Sequence, residues 1–429
     1  MGLVGPLSVF AQRRAALMAS MHPGTALAIP SNPPQFKEPG IPLPFLQSSP
    51  FLYFTGYDDS NVVLSLAKDE EGVVTERLFA MESDPRLTPY YGAKPSGTDI
   101  AEMMGLYTDA TDTKREELVQ PMPEFETWMR EWTSEGRNME MCGTGQPVMQ
   151  VDRMMSVKDE WEVDQIRQAC SWTEEALRQS VSEVRAGAAK GVALHEHEAA
   201  SWFEHSGHML GSHHLAFPPV VATGQNAMRV HHIFGTAPIA SDKLLQYDVG
   251  LRNQAGYCAD VSRPVVVETV SDAELDLLET VTACRDNLFK HIENRHGQAS
   301  LSELTTVGAA SILSVLAAGG ILLEEPTPDV LGTLFPHPFA HHIGMSTHDC
   351  PMVSPGSPLV DGNCIAVEPA IYLPCADFIN PKYQGMAVRL EDTVAIHKAE
   401  KPEGEGEGET DTDPVTVERL SLDDEVTYV

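Results

Sequence analysis

Five residues in the second half of the chain have the types and settings of metal ligands: Asp248, Asp260, His341, Glu368 and Glu391. Asp248 lies near the end of the run Leu244-Leu245-Gln246-Tyr247-Asp248-Val249-Gly250. Glu368 follows Cys364-Ile365-Ala366-Val367 and precedes Pro369, and Glu391 follows Ala387-Val388-Arg389-Leu390. A carboxylate inside such an apolar segment is costly to bury unless it is paired or holds a cation. Four carboxylates and one imidazole suit a pair of divalent ions, with carboxylates bridging them and a shared water as the nucleophile. The chemistry this points to is hydrolysis.

Further candidates surround these five. Four of the chain's 16 histidines fall between His337 and His348. A neutral imidazole can ligate a metal, and others can donate to an oxyanion. Arg389 and Glu391 are two apart, so on a strand they share a face. Arg389 is then suited either to orient a ligating carboxylate from behind or to form a plain cross-strand ion pair. His195-Glu196-His197-Glu198 is a different case. It has HExH rather than HExxH spacing, so a helix there would not present two histidines on one face as a zincin does. It reads as the start of a solvated helix.

Elements must position these groups. Asp248 and Asp260 flank a polar turn between Gly250 and Gly256, which predicts a hairpin carrying both carboxylates to one end of a sheet. Strands are expected at 218–223, 244–250, 256–267, 363–373 and 385–396, alternating with helices at 158–184, 194–209, 271–295 and 301–318. Upstream, a helix is expected over 9–22, then a proline-rich loop through Pro44, strands at 51–55, 62–66 and 77–81, and a helix at 122–134. This is an α/β (α+β) pattern with a first domain ending near residue 155. Residues Gly404 to Glu409 form a low-complexity Gly/Glu linker or surface loop. The stretch from Val415 onward either returns as a short strand or lies free.

Composition narrows the class. A chain of 429 residues with 42% hydrophobic content has room for two domains and a sizeable core. No run reaches the ~18 uninterrupted apolar residues of a membrane span, and the first residues have neither a secretory nor a myristoylation pattern. Seven dispersed cysteines without a CxxC pair point to a reduced, cytoplasmic setting. A net charge of −33 argues against nucleic acid or an anionic membrane as partner. It suits a well-solvated surface or, alternatively, a saline environment.

Taken in order and spacing, the segments resemble those of the pita-bread metallopeptidases, and within them aminopeptidase P, the Xaa-Pro aminopeptidases. They are Gly224-Gln225-Asn226-Ala227 leading to His231; Asp248-Val249-Gly250; Gly256 to Arg263; His341-His342-Ile343-Gly344 leading to His348-Asp349; Val367-Glu368-Pro369; and Val388-Arg389-Leu390-Glu391-Asp392. Phe10 to Arg14 and Phe51 to Tyr57 look like the opening of the aminopeptidase P N-terminal domain, which favours it over the related dipeptidase, prolidase. The resemblance implies a creatinase-like N-terminal α/β domain over 1–155, a larger pita-bread catalytic domain over 156–398 and an acidic Gly/Glu-rich tail over 399–429.

It also implies roles. Asp248 and Asp260 would bind one metal, His341 and Glu368 would complete a second site, and Asp260 and Glu391 would bridge both. The two ions, manganese by family habit, would share a hydroxide that attacks the carbonyl of the bond before proline, releasing the N-terminal residue of peptides with proline second. Glu368 would also accept a proton, His231 and His348 would contact substrate and stabilise the tetrahedral intermediate, and His337 and Arg389 would shape the proline side of the pocket. A homodimer or homotetramer is the family's usual assembly. Departures from the family pattern are an Asp248–Asp260 interval one residue longer than usual, Ala366 in place of Thr, Ala370 in place of Gly, and Cys350 after His348-Asp349. Prolidase is the alternative activity, and a non-catalytic binding protein on the same fold is the alternative class. Creatinase-like enzymes share the fold but lack the ligand set.

Overall fold

A computed structural model describes residues 5–106, 118–233, 235–399 and 414–421. It divides into two compact units, Met1–Met155 and Ser156–Val429.

In the first unit a five-stranded sheet has the spatial order Val119–Pro121, Val74–Ala80, Val62–Lys68, Thr25–Pro30, Asn138–Met141. The three central strands are antiparallel and the two outer ones join in parallel. The helix Glu124–Ser134 turns Phe125, Trp128 and Trp132 onto Ala26, Ala28, Val63 and Phe79 of this sheet, the spacing of one helical face. The segment expected as a strand over 51–55 is instead the helix Ser49–Thr55. Pro50 opens its first turn and Gly56, at φ 64°, closes it, the usual asymmetry of helix ends. A short, fully buried apolar run carries no periodicity that would separate strand from helix.

In the second unit the helix Glu160–Ala189 starts at a reciprocal cap between Asp159 and Glu162, and Asp272–Asn294 starts at one between Ser271 and Glu274. The apolar helix Leu301–Ala318 sets Leu304, Gly308, Ile312 and Leu316 into the core. A three-stranded antiparallel sheet runs in the order Val261–Val266, Leu244–Val249, Val220–Thr223. A four-stranded one runs Ala340–His342, Cys364–Val367, Asp392–Lys398, Val415–Arg419, so the C-terminal stretch does return as a strand. Residues 404–409 lie outside the described residues.

The expected strand 256–267 begins only at Val261: Asn253 to Gly256 form a turn, and Tyr257 to Ala259 meet the opposite arm only through an isolated bridge between Arg252 and Cys258, whose own N–H goes to the Gly344 carbonyl. The expected long strands 363–373 and 385–396 each break in two. Cys364–Val367 and Asp392–Lys398 stay in the four-stranded sheet, whereas Ala370–Leu373 and Met386–Arg389 pair separately. The breaks fall at Glu368-Pro369 and at Leu390-Glu391. Proline has no N–H to continue a ladder, and the break turns a carboxylate out of each strand at the same level.

Candidate metal centre

The hairpin delivers the first two carboxylates. Leu244–Val249 pairs with Val261–Val266 with Asp248 opposite Ser262, and Asp260 sits at the mouth of the second strand. Close approach makes Gly250 necessary, since a Cβ there would lie 2.1 Å from the Ala259 carbonyl oxygen. Thr393 fixes the Asp260 backbone from both sides: its hydroxyl donates to the Asp260 carbonyl at 2.8 Å and accepts from the Asp260 N–H at 3.1 Å. The Glu391 N–H donates to the Ser262 carbonyl at 3.1 Å, which locks the third carboxylate to the hairpin.

His341 closes the group. Its Nε2 lies 3.5 Å from Asp260 Oδ2, 3.7 Å from Glu368 Oε1 and 3.8 Å from Glu391 Oε1. Its Nδ1 is 3.1 Å from the His342 carbonyl, which accepts a proton held on Nδ1 and leaves the Nε2 lone pair facing the carboxylates. One ligand atom from each of Asp260, His341 and Glu391 falls within 4.8 Å of the others.

Electrostatics here is unfavourable without a cation. Burial, with Asp248 and Glu368 nearby, holds the Asp260 carboxyl well above the usual range. Burial, with Asp260 and Asp248 nearby, does the same to Glu391. Burial and the adjacent Glu391 push Glu368 up to about 8. Asp248 Oδ1, Asp260 Oδ1 and Glu391 Oε1 are buried without a hydrogen-bond partner. Orphaned, inward-facing carboxylate oxygens beside one imidazole fit hard or borderline divalent cations.

Arg389 lies behind this group. It is 3% exposed, donating from Nε to Ser262 Oγ at 3.0 Å, from Nη1 to the Tyr372 hydroxyl at 2.6 Å and from Nη2 to Asp248 Oδ2 at 2.5 Å. The carboxylate it orients is therefore Asp248 and not its neighbour Glu391. The Tyr372 hydroxyl is 3.1 Å from His337 Nε2, and His337 Nδ1 is 3.4 Å from Glu368 Oε2. His337 is pushed down to about 4, chiefly by burial. The His348 ring stands edge-to-face on His341 at 4.7 Å and its pKa is lowered by burial and by His341 and His231. His231 is exposed and within electrostatic reach of both His337 and His348.

The sequence profile of metallopeptidase family M24 matches residues 164–398. The chain belongs to this family. The profile of the aminopeptidase P N-terminal domain matches residues 10–124. Xaa-Pro aminopeptidase 3 of Dictyostelium discoideum is 24% identical over 406 residues, covering 90% of this chain and 77% of that protein. The Xaa-Pro aminopeptidase of Haemophilus influenzae is 24% identical over 407 residues, covering 91% and 92%. The solved aminopeptidase P of E. coli superposes with a TM-score of 0.79 at 19% identity, covering 99% of this chain and 96% of that one. The resemblance to aminopeptidase P expected from the sequence is borne out, as is the fold: an M24 pita-bread domain with a smaller α/β domain before it.

Against this M24 frame, some contributors were missed. Tyr372 and Ser262 anchor Arg389; the serine and tyrosine carry no signal in the sequence beyond lying beside ligand motifs. Lys158 Nζ pairs with Asp349 Oδ2 at 3.0 Å, both nearly inaccessible, and so pins the histidine-rich loop. Cys350 follows in the left-handed region at φ 52°, a conformation uncommon for any residue with a side chain. Glu196 departs from expectation. It is fully buried and accepts from the Thr223 N–H, Asn226 Nδ2 and His232 Nε2. Those donors are what make its burial tolerable, and the helix it begins is solvated only on its other faces.

Proposed function

We propose that the chain is a dinuclear-metal Xaa-Pro aminopeptidase, releasing the N-terminal residue from peptides with proline second. The observation that carries this is the gathering of Asp260, Glu368 and Glu391 within 3.8 Å of His341 Nε2, with Asp248 in electrostatic reach and an oxygen of each of Asp248, Asp260 and Glu391 buried and unpartnered. In this reading Asp248 and Asp260 would hold one ion and His341 and Glu368 the other, with Asp260 and Glu391 serving both. Two divalent ions, manganese by the family's habit, would supply Lewis acidity and make a water they share acidic near neutral pH.

The chain's own residues do the rest. Glu368, ionised when it ligates and only 14% exposed at its side chain, takes a proton at Oε2 from the attacking water and delivers it to the departing nitrogen. His231 and His348 donate to the carbonyl oxygen as it gains charge. His337 lines the proline side, with Tyr372 holding its ring. Arg389 fixes Asp248 from behind, with its nitrogens also on Ser262 and Tyr372, and so shapes the wall of the pocket on that side. A bond to proline has no N–H, so recognition rests on shape and on carbonyl contacts. The match of the first domain to that of aminopeptidase P supports this reading over the dipeptidase one. A cytoplasmic setting and a homodimer or homotetramer complete the proposal.

The test compares Gly-Pro-Ala with Gly-Pro as substrates for metal-stripped protein to which manganese is returned. Release of glycine from the tripeptide supports the reading. Cleavage of the dipeptide alone would reassign the chain as a prolidase. No cleavage by folded, metal-loaded protein would favour a binding protein on the same fold.

A further inference from the structure

The substrate-facing His231 stands between two anchors. On one side the carbonyl of Val230 accepts from Arg389 Nη2 at 3.4 Å, the guanidinium that also grips Asp248. On the other side His232 is buried, with Nε2 2.9 Å from Glu196 Oε2. The same carboxylate accepts from the Thr223 N–H at 3.1 Å and from Asn226 Nδ2 at 2.9 Å through Oε1. Glu196 therefore ties together the end of the strand Val220–Thr223, the 3₁₀ turn Gly224–Met228 and the residue after His231. Its helix holds the same stretch by backbone bonds: Glu196 N–H to the Ala237 carbonyl and His197 N–H to the Gly235 carbonyl.

We propose that Glu196 and His232 are positioning residues for His231, so that the HExH segment sets the placement of one imidazole at the catalytic centre. This rests on the aminopeptidase reading for what His231 does, though not for where it is held. The chemistry of the pair is specific. Glu196 has no donor of its own and offers four lone-pair sites, three of which meet donors; His232 Nε2 must carry a proton to serve as one. A glutamine at 196 would keep one acceptor but turn an NH₂ toward His232 Nε2, setting donor against donor. Either the imidazole moves its proton to Nδ1, giving up whatever Nδ1 accepts, or it swings away and takes His231 with it. A displacement of about 1 Å at a positioned group costs on the order of 100-fold in rate.

The test is a double-mutant cycle on the metal-loaded full chain with Glu196→Gln, His231→Ala and the pair, using Gly-Pro-Ala turnover. In the wild-type background Glu196→Gln is expected to lower kcat by 10-fold to 100-fold with bound metal unchanged, and in the His231→Ala background by less than about twofold. An equal loss in both backgrounds would overturn the proposal, since it would mean that Glu196 acts elsewhere. His232→Phe, which keeps ring volume and removes the donor, carries the same cycle if Glu196→Gln does not fold. The second readout needs no activity. The ring-proton resonance of His231, assigned by its disappearance in His231→Ala, is expected to shift or broaden in Glu196→Gln. An unmoved resonance contradicts the proposal even if the protein proves inactive on proline peptides.

Discussion

Arg389 Nη2 meets Asp248 Oδ2 at 2.5 Å, with the arginine side chain 3% and the aspartate side chain 12% exposed. The remaining guanidinium nitrogens reach Ser262 and Tyr372, and Tyr372 reaches His337, which stands beside Glu368. Two of the five carboxylate and imidazole groups are thus connected behind the centre, in addition to any cation between them in front.

That connection depends on a planar fork. A lysine at 389 keeps the charge but cannot meet Ser262, Tyr372 and Asp248 together. Arg389→Lys is expected to weaken metal binding about 10–100-fold, measured by calorimetric titration of stripped protein. Arg389→Ala leaves Asp248 without its partner and should in addition lower unfolding free energy by about 3–5 kcal/mol, seen in urea denaturation.

The raised carboxyl of Glu368, at about 8 against an ordinary 4.5, gives the metal-free protein a pH dependence with a definite sign. Above pH 6.5 unfolded histidines and carboxylates have both lost their protons, whereas folded Glu368 still holds one. The folded state then binds more protons than the unfolded one, so stability falls as pH rises. Asp260 and Glu391 are shifted in the same direction. The Tm of stripped protein should be lower at pH 8 than at pH 6.5, and added manganese should raise it more at pH 8, where fewer protons must be displaced.

Gly250 separates the two arms of the hairpin. A Cβ at this position would meet the Ala259 carbonyl oxygen at 2.1 Å and the Phe217 ring at 2.8 Å, and backbone cannot step aside as a flexible side chain does. Gly250→Ala should cost about 1–3 kcal/mol and, by moving Asp260 relative to Asp248, reduce bound metal per chain, read by elemental analysis after gel filtration.

Asp392, next to Glu391, is fully buried among Arg263 at 2.7 Å, Arg285 at 3.0 Å and Arg419 at 3.2 Å, with Ser421 Oγ at 2.9 Å. Removing it strands several guanidinium groups in the interior. Asp392→Ala should be destabilised by about 3–5 kcal/mol, again by urea denaturation.

The site was more legible in the sequence than the elements around it. Carboxylates set inside apolar runs, as at Asp248 and Glu368, announce themselves because burial is costly without a partner. Alternation does not say where a strand changes sheet, so the breaks at Glu368-Pro369 and Leu390-Glu391 appeared as continuous strands. Phe51 to Thr55 could not be told from a strand, because a run buried on all sides loses its period. Glu196 was misjudged for a related reason. A glutamate at a helix start is usually solvated, and the donors that draw it inward come from Thr223, Asn226 and His232, distant in sequence.

The central claim is a centre of two ions sharing these five ligands. The most direct measurement titrates manganese into stripped protein while recording both bound metal and tripeptide cleavage, for the native chain and for Asp260→Asn. Activity that reaches its plateau only at two ions per chain, with stoichiometry and activity both lost in Asp260→Asn, is what the proposed function predicts. Full activity at one ion per chain, or an active Asp260→Asn protein, would contradict it.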